Sequence, residues 1–167
     1  IEKINYQNIL LDRQDQTVFL TEKGMKIGFG AIGKGYAANR AKSLMIENGS
    51  LSGVVNAGGD LICWGSKPDG KPWSVGVADP FQKDKIKLWL DRNEGAVVTS
   101  GDYERYVMIE DVRYGHIINP KTGWPTNGIR SVTVLSPDAE LADALATSVF
   151  VMGTIEGLSL INQLQGI

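Results

Sequence analysis

The spacing of apolar and polar residues changes period several times along the chain, and each change marks an element. Ile9, Leu10 and Leu11 lead into the polar run Asp12-Arg13-Gln14-Asp15, and Thr17-Val18-Phe19-Leu20 returns. This predicts strands over 4–11 and 16–20, joined as a hairpin. Gly53-Val54-Val55-Asn56-Ala57 and Leu61-Ile62-Cys63-Trp64 read as two apolar strands around a Gly-Gly-Asp turn. Residues 73–78 alternate as a half-buried strand, and 86–90, 96–99 and 131–135 are further strands. Residues 106–110 and 113–114 form a hairpin that delivers the chain to His116.

Helical spacing appears in three places. Ala37, Ala41, Leu44 and Met45 recur over 32–48, with Asn48-Gly49 as the stop. Ser136-Pro137-Asp138-Ala139-Glu140 opens a second helix, with proline in its first turn and acids near the positive end of the dipole. It runs to Met152 and stops at Gly153, with Leu141, Leu145 and Val149 as its apolar stripe. Asp143 and Thr147 stand four apart and share a face, predicted to lie away from that stripe. A last helix is predicted over 155–164. Many antiparallel strands with about three helices make an α+β chain, one domain over 1–167.

Composition narrows the function. Hydrophobic residues make up 43% of the 167, enough for a real core. Seventeen Lys and Arg nearly balance nineteen Asp and Glu, without a basic stripe, which argues against nucleic acid as a partner. The single cysteine, Cys63, excludes an internal disulfide and a cysteine-based zinc site, and reads as a small buried hydrophobe. No apolar run reaches the length of a membrane helix. The first residue is Ile1 rather than Met, so the chain is expected to be a piece of a longer protein whose missing part carried a targeting signal.

Four stretches hold candidate chemistry. His116 is the only histidine, and a histidine can gain or lose a proton near neutrality. It precedes Asn119-Pro120-Lys121-Thr122-Gly123-Trp124-Pro125, whose turn signals pin the backbone beside it. Gly28, Gly30, Gly33 and Gly35 let the backbone approach a ligand, and free amides at the start of a helix can cradle a phosphate, here the amides of 33–35 beside Lys34. Two known motifs nearly match. Gly28, Gly30 and Gly33 have dinucleotide-fold spacing, and 28–34 has P-loop spacing, but Gly35 stands where a P-loop needs Ser or Thr. Asn56-Ala57-Gly58-Gly59-Asp60 is either a hairpin turn alone or a turn that presents Asn56 and Asp60 to a polar ligand. Thr99-Ser100-Gly101-Asp102-Tyr103-Glu104-Arg105 supplies hydroxyls, a flexible glycine and an arginine.

Together these segments resemble the FAD:protein FMN transferase (ApbE-like) family. The matching pieces are Gly30-Ala31-Ile32-Gly33-Lys34-Gly35-Tyr36-Ala37, Asn56-Ala57-Gly58-Gly59-Asp60, Thr99 through Arg105, His116-Ile117-Ile118-Asn119-Pro120-Lys121-Thr122-Gly123, and Ala142-Asp143-Ala144-Leu145-Ala146-Thr147. They occur in the family's order across nearly the whole chain. The resemblance implies an ApbE-like fold and an enzyme that splits FAD with Mg²⁺, transfers FMN to a threonine of an acceptor flavoprotein through a phosphoester bond, and releases AMP. It implies His116 as the catalytic residue. It implies a metal site of Asp143, Thr147 and a backbone carbonyl, that of Ala31. From the glycine segment it puts Gly30, Ala31, Lys34 and Gly35 at the FAD, and from the next motif Asn56, Gly58, Gly59 and Asp60. From the later motifs it adds Ser100, Gly101, Arg105 and Thr122. It also implies a bacterial periplasmic enzyme, anchored at the inner membrane through an N-terminal segment beyond this chain.

The donor types suit those roles. Carboxylate, hydroxyl and carbonyl oxygens are hard ligands of the kind Mg²⁺ takes. A histidine can accept the proton of an attacking hydroxyl. The chain departs from the family pattern in two places: Gly28-Phe29-Gly30 stands where Asp-x-Gly is common, and Asn119 where Asp is common. Two other functions use the same residues, a flavin- or nucleotide-binding protein without transferase activity and an FAD pyrophosphatase.

Overall fold

Glycine punctuation sets the first long helix. In the computed structural model, which describes residues 3–82, 84–103 and 105–167, α1 spans Gly33–Glu47. No strand precedes it within residues 21–32, so neither the P-loop nor the dinucleotide-fold order of strand, turn and helix is present. The strands in chain order are β1 (Ile9–Asp12), β2 (Thr17–Leu20), β3 (Gly53–Ala57), β4 (Asp60–Trp64), β5 (Trp73–Ala78), β6 (Ile86–Arg92), β7 (Gly95–Gly101), β8 (Tyr106–Ile109), β9 (Val112–Gly115) and β10 (Ser131–Ser136). The helices α2 (Ala139–Met152) and α3 (Thr154–Ile161) close the chain. The α+β class and the antiparallel strands agree with the sequence pattern.

The central sheet has the order β10-β7-β4-β3, antiparallel throughout. The pairs β1-β2, β5-β6 and β8-β9 form separate hairpins. Alternation along the strands divides the sheet into two faces. Ile62 of β4, Ala96 and Val98 of β7 and Val134 of β10 join the core with Ala38 of α1 and Ala142, Leu145 and Ala146 of α2. α1 lies over β3 and β4, and α2 over β7 and β10. Phe150 of α2 is almost fully buried, and burying such a side chain contributes about 1.5–3 kcal/mol.

Four sequence expectations are corrected. The first strand begins at Ile9 rather than residue 4, because Tyr6–Asn8 forms a 3-10 turn whose Gln7 amide is capped by the Asn5 side chain. Pro137 lies before α2 rather than in its first turn, since Asp138 is the N-cap and accepts the Leu141 amide at 2.8 Å. The last helix ends at Ile161, short of 164. The buried surface of α2 is broader than the expected stripe and shifted from it: Leu145 and Val149 are buried as expected, but Leu141 is 45% exposed, and Ala139, Ala142, Asp143 and Ala146 are buried as well. Close approach to α1 selects small residues on that face. Asp143 is therefore part of the packed surface and not on the side away from it.

Candidate active site

A cavity of about 870 Å³ opens where these elements meet. Its polar wall contains Lys34, Asn56, Thr99, Ser100, Asp143, Thr147 and His116. Leu61 and Val97, which alternate with the core residues of their strands, form an apolar wall with Val77 and Ala78 of β5. The β5–β6 register shifts between Val77 and Ala78, and such irregularities re-aim side chains beside sites.

The Asn56–Asp60 turn serves both readings offered by its sequence. The Asn56 side chain accepts the Gly59 amide at 2.8 Å, which holds the turn, while Asn56, Gly58 and Gly59 line the cavity. Gly58 and Gly59 both have positive φ, 66° and 101°, which the turn requires. Asp60 is fully buried behind the wall, and its Oδ2 lies 2.7 Å from Lys34 Nζ. Burial pushes the Asp60 carboxyl above its ordinary range, and the hydrogen bond and charge of Lys34 oppose that rise.

Backbone pairing brings the hydroxyls together. β7 and β10 set Thr99 opposite Thr133, with their oxygens 2.9 Å apart. One residue on, Ser100 Oγ lies 3.1 Å from Thr147 Oγ1 of α2. Thr147 thus bonds across to the sheet. Asp143, one turn earlier, accepts the Gly35 amide on Oδ2 at 3.0 Å.

His116 follows β9 directly. Its amide donates to the Arg105 carbonyl at 3.1 Å, and its Nδ1 lies 3.2 Å from the same oxygen. A carbonyl only accepts, so Nδ1 carries a hydrogen, and in the neutral imidazole Nε2 is then the nitrogen with the lone pair. Beneath this hairpin Asp102 accepts from Arg130 at 2.8 Å, and Arg113 of β9 lies 3.8 Å from its other oxygen. A Cβ on Gly115 would lie 3.1 Å from Asp102 Cβ, so the strand end rests on this aspartate. Sequence carries no signal of this role for Asp102, because its partners are distant along the chain.

Of the expected site residues, Gly30, Ala31, Lys34, Asn56, Gly58, Gly59, Ser100, Gly101, Arg105, His116, Asp143 and Thr147 line this one cavity. Gly35, Asp60 and Thr122 are not among its lining residues. The Thr122 hydroxyl instead accepts the Trp124 amide at 3.2 Å within the exposed turn. Two of the three amides expected to cradle a phosphate over 33–35 are taken up within the protein. The Gly33 amide donates to the Phe29 carbonyl and the Gly35 amide to Asp143, so the anion at this helix end is the chain's own carboxylate. Glu104 of the Thr99–Arg105 segment lies outside the described residues.

Comparison with known proteins places this arrangement. The ApbE family model matches residues 1–167. The chain belongs to the ApbE family. It is 34% identical over 163 residues to the FAD:protein FMN transferase of Klebsiella pneumoniae (strain 342), covering 96% of this chain and 50% of that protein. The FAD:protein FMN transferase of Treponema pallidum (strain Nichols) is 35% identical over 161 residues, covering 90% of this chain and 44% of its own length. The crystal structure of the ApbE protein from Thermotoga maritima MSB8 superposes with a TM-score of 0.88 at 39% identity, over 97% of this chain and 53% of that one. The chain thus spans about half the length of the curated relatives it matches.

The donor set of this ApbE-family cavity fits a hard divalent cation. Asp143 is 2% exposed, yet it forms no ion pair among the described residues. Lys34 is engaged by Asp60, and the two carboxylates are close enough to repel. A buried carboxylate without a counter-charge is costly. Thr147, Ser100 and Ala31 line the cavity with it. Carboxylate, hydroxyl and carbonyl oxygens suit Mg²⁺, which keeps several waters and takes few protein ligands.

Proposed function

We propose that the protein transfers FMN from FAD to a threonine hydroxyl of an acceptor flavoprotein, as an Mg²⁺-assisted reaction that releases AMP. The observation that carries this reading is the position of His116. Its Nδ1 is held by the Arg105 carbonyl, which leaves Nε2 as the acceptor of the neutral ring, and the residue shares one cavity with Lys34, Asp143 and Thr147. The names of the relatives support the same reaction class.

In this reading the threonine oxygen attacks the phosphorus of the FMN half. Its proton passes to Nε2 of His116, the bond from phosphorus to the AMP oxygen breaks, and AMP leaves. General-base help of this kind contributes roughly 10²–10⁴ in rate. The Arg105 carbonyl keeps the ring in the tautomer that can accept. Lys34 brings positive charge to the wall, and the apolar residues Leu61, Val77 and Val97 offer a surface for the flat parts of FAD. Asp143 and Thr147, with the Ala31 carbonyl, would hold Mg²⁺, which when bound supplies positive charge beside the pyrophosphate oxygens.

The family resemblance supports a bacterial periplasmic setting with an inner-membrane anchor outside this chain. Among the described residues no helix is long and apolar enough to cross a membrane. Mass spectrometry of an acceptor flavoprotein incubated with the enzyme, FAD and Mg²⁺ tests the reaction. The expected product carries one added FMN on threonine. AMP without labelled acceptor would assign a pyrophosphatase, with water in place of threonine. FAD binding with no AMP would assign a binding protein.

A further inference from the structure

The two helices over the sheet hold each other by their first turns. The Gly35 amide, in the first turn of α1, donates to Asp143 Oδ2 of α2 at 3.0 Å. The Ala139 amide, the first of α2, donates to Asn39 Oδ1 of α1 at 3.0 Å. Asn39 comes one turn after Gly35, and Asp143 one turn after Ala139. Each helix therefore begins with an amide that has no partner of its own, and each is capped by a side chain of the other. Between the two bonds the backbones touch. A Cβ on Gly35 would lie 2.2 Å from the Ala139 carbonyl oxygen, and Ala139 is fully buried.

The two ends of this exchange differ in surroundings. Asp143 faces the cavity, and Asn39 is not among its lining residues. Where the Asp143 carboxylate stands depends on how α2 is placed against α1. That placement is fixed at one point by the bond from Gly35 and at a second by the bond to Asn39. Without the second, the first turn of α2 would be held against α1 only by packing and by the Gly35 bond, so the place of the carboxylate would be less sharply set.

We propose that Asn39 and Gly35 are positioning residues for Asp143, forming a reciprocal clamp that sets the affinity of its carboxylate for a divalent cation. The inference rests on the metal reading above. Outer partners of metal ligands typically change metal affinity by about 10–100-fold when removed, and Asn39 acts one bond further out, at the lower end of that range.

The test titrates Mn²⁺ into the protein holding FAD and reads free Mn²⁺ by electron paramagnetic resonance, since Mn²⁺ takes the same oxygen donors. Asn39→Ala is expected to weaken Mn²⁺ binding on the order of tenfold. Asn39→Asp, which keeps the acceptor for the Ala139 amide, is expected to restore it. Asn39→Ser is too short to reach that amide and gives the same reading should the alanine variant lose its fold. Faster hydrogen exchange of the Gly35 amide in the folded Asn39→Ala protein is the second expected sign. A purely structural role would lower the melting temperature and leave Mn²⁺ affinity unchanged. Unchanged affinity in the Asn39 variants, with binding lost in Asp143→Ala, would overturn the clamp and leave the metal reading standing. Equal binding by wild type and Asp143→Ala would overturn both.

Discussion

Lys34 Nζ lies 2.7 Å from Asp60 Oδ2, with the aspartate fully buried and the lysine side chain 47% exposed. The pair joins α1 to the β3–β4 turn. It also decides where the cavity's lysine stands, because the buried carboxylate tethers the ammonium from behind the wall. Lys34 is thus both a lining residue and one half of the fold's buried polar framework.

Removing the cation alone strands the anion. Lys34→Met is expected to destabilise the protein by about 1–3 kcal/mol, the cost of leaving a buried charged acceptor without its partner. Adding Asp60→Asn should recover much of that loss. Urea unfolding of the two single variants and the double variant gives the coupling directly, and additive losses would mean that the ion pair contributes nothing.

The pH dependence of Asp60 has a definite sign. Burial raises its pKa in the folded state above the ordinary value of 3.8. In the window from that value up to the raised one, the folded protein binds more protons than the unfolded chain, so this residue's contribution to stability falls as pH rises. Asp60→Asn does not titrate. The melting temperature of the variant relative to wild type should therefore climb as pH increases through that window. A difference that stays flat or falls with pH would show that Lys34 outweighs burial.

Much of this was legible in the sequence for local reasons. Helix stops at Asn48-Gly49 and Gly153, and the Gly58-Gly59 turn, depend on residues that adjoin one another, so pattern finds them. Cys63 as a buried small residue followed from its apolar run. The face of α2 followed only in part: Leu145 and Val149 are buried, but Leu141 outranks Ala142 in hydrophobicity while the tight approach of α1 admits only the smaller residue. The same approach lets Asp143 take the Gly35 amide that the glycine pattern offers to a phosphate. Asp60 was legible as a polar residue at the turn but not as the buried partner of Lys34, since strand register decides which way it faces. The cavity residues Leu61, Val77 and Val97 carry no signal beyond strand alternation.

His116→Ala removes the free Nε2 and leaves the hairpin that carries it. FMN transfer should fall by roughly 10²–10⁴, the range of general-base help. FAD affinity should change little, because a base acts mainly in the transition state. Equilibrium binding followed by flavin fluorescence, beside single-turnover rates, separates the two. A loss of affinity that matches the loss of rate would make His116 a binding residue.

Two glycines of one segment should respond in opposite ways to the same added methyl. Gly30 lines the cavity, and a Cβ there would meet no atom within 4 Å, whereas a Cβ on Gly35 would lie 2.2 Å from the Ala139 carbonyl oxygen. Gly30→Ala should keep stability within about 0.5 kcal/mol and weaken FAD binding by intruding on the ligand. Gly35→Ala should cost about 1–3 kcal/mol by forcing the helices apart. Chemical denaturation and FAD titration on both variants check the contrast, and unchanged FAD affinity in Gly30→Ala would place the ligand away from this segment.

Asp143→Asn separates the charge of the side chain from its place in the fold. Asparagine keeps an oxygen for the Gly35 amide, so the helix pair stays closed and the melting temperature should change little. The negative charge is gone, and a hard cation held by few protein ligands depends heavily on that charge. Activity should then need a much higher Mg²⁺ concentration or vanish, while circular dichroism remains that of the wild type. Thr147→Val should show a milder form of the same effect, because a hydroxyl contributes less than a carboxylate and Ser100 loses its partner at 3.1 Å. If Asp143→Asn keeps the wild-type Mg²⁺ requirement, the carboxylate serves the helix contact alone and the metal, if any, is held elsewhere in the cavity.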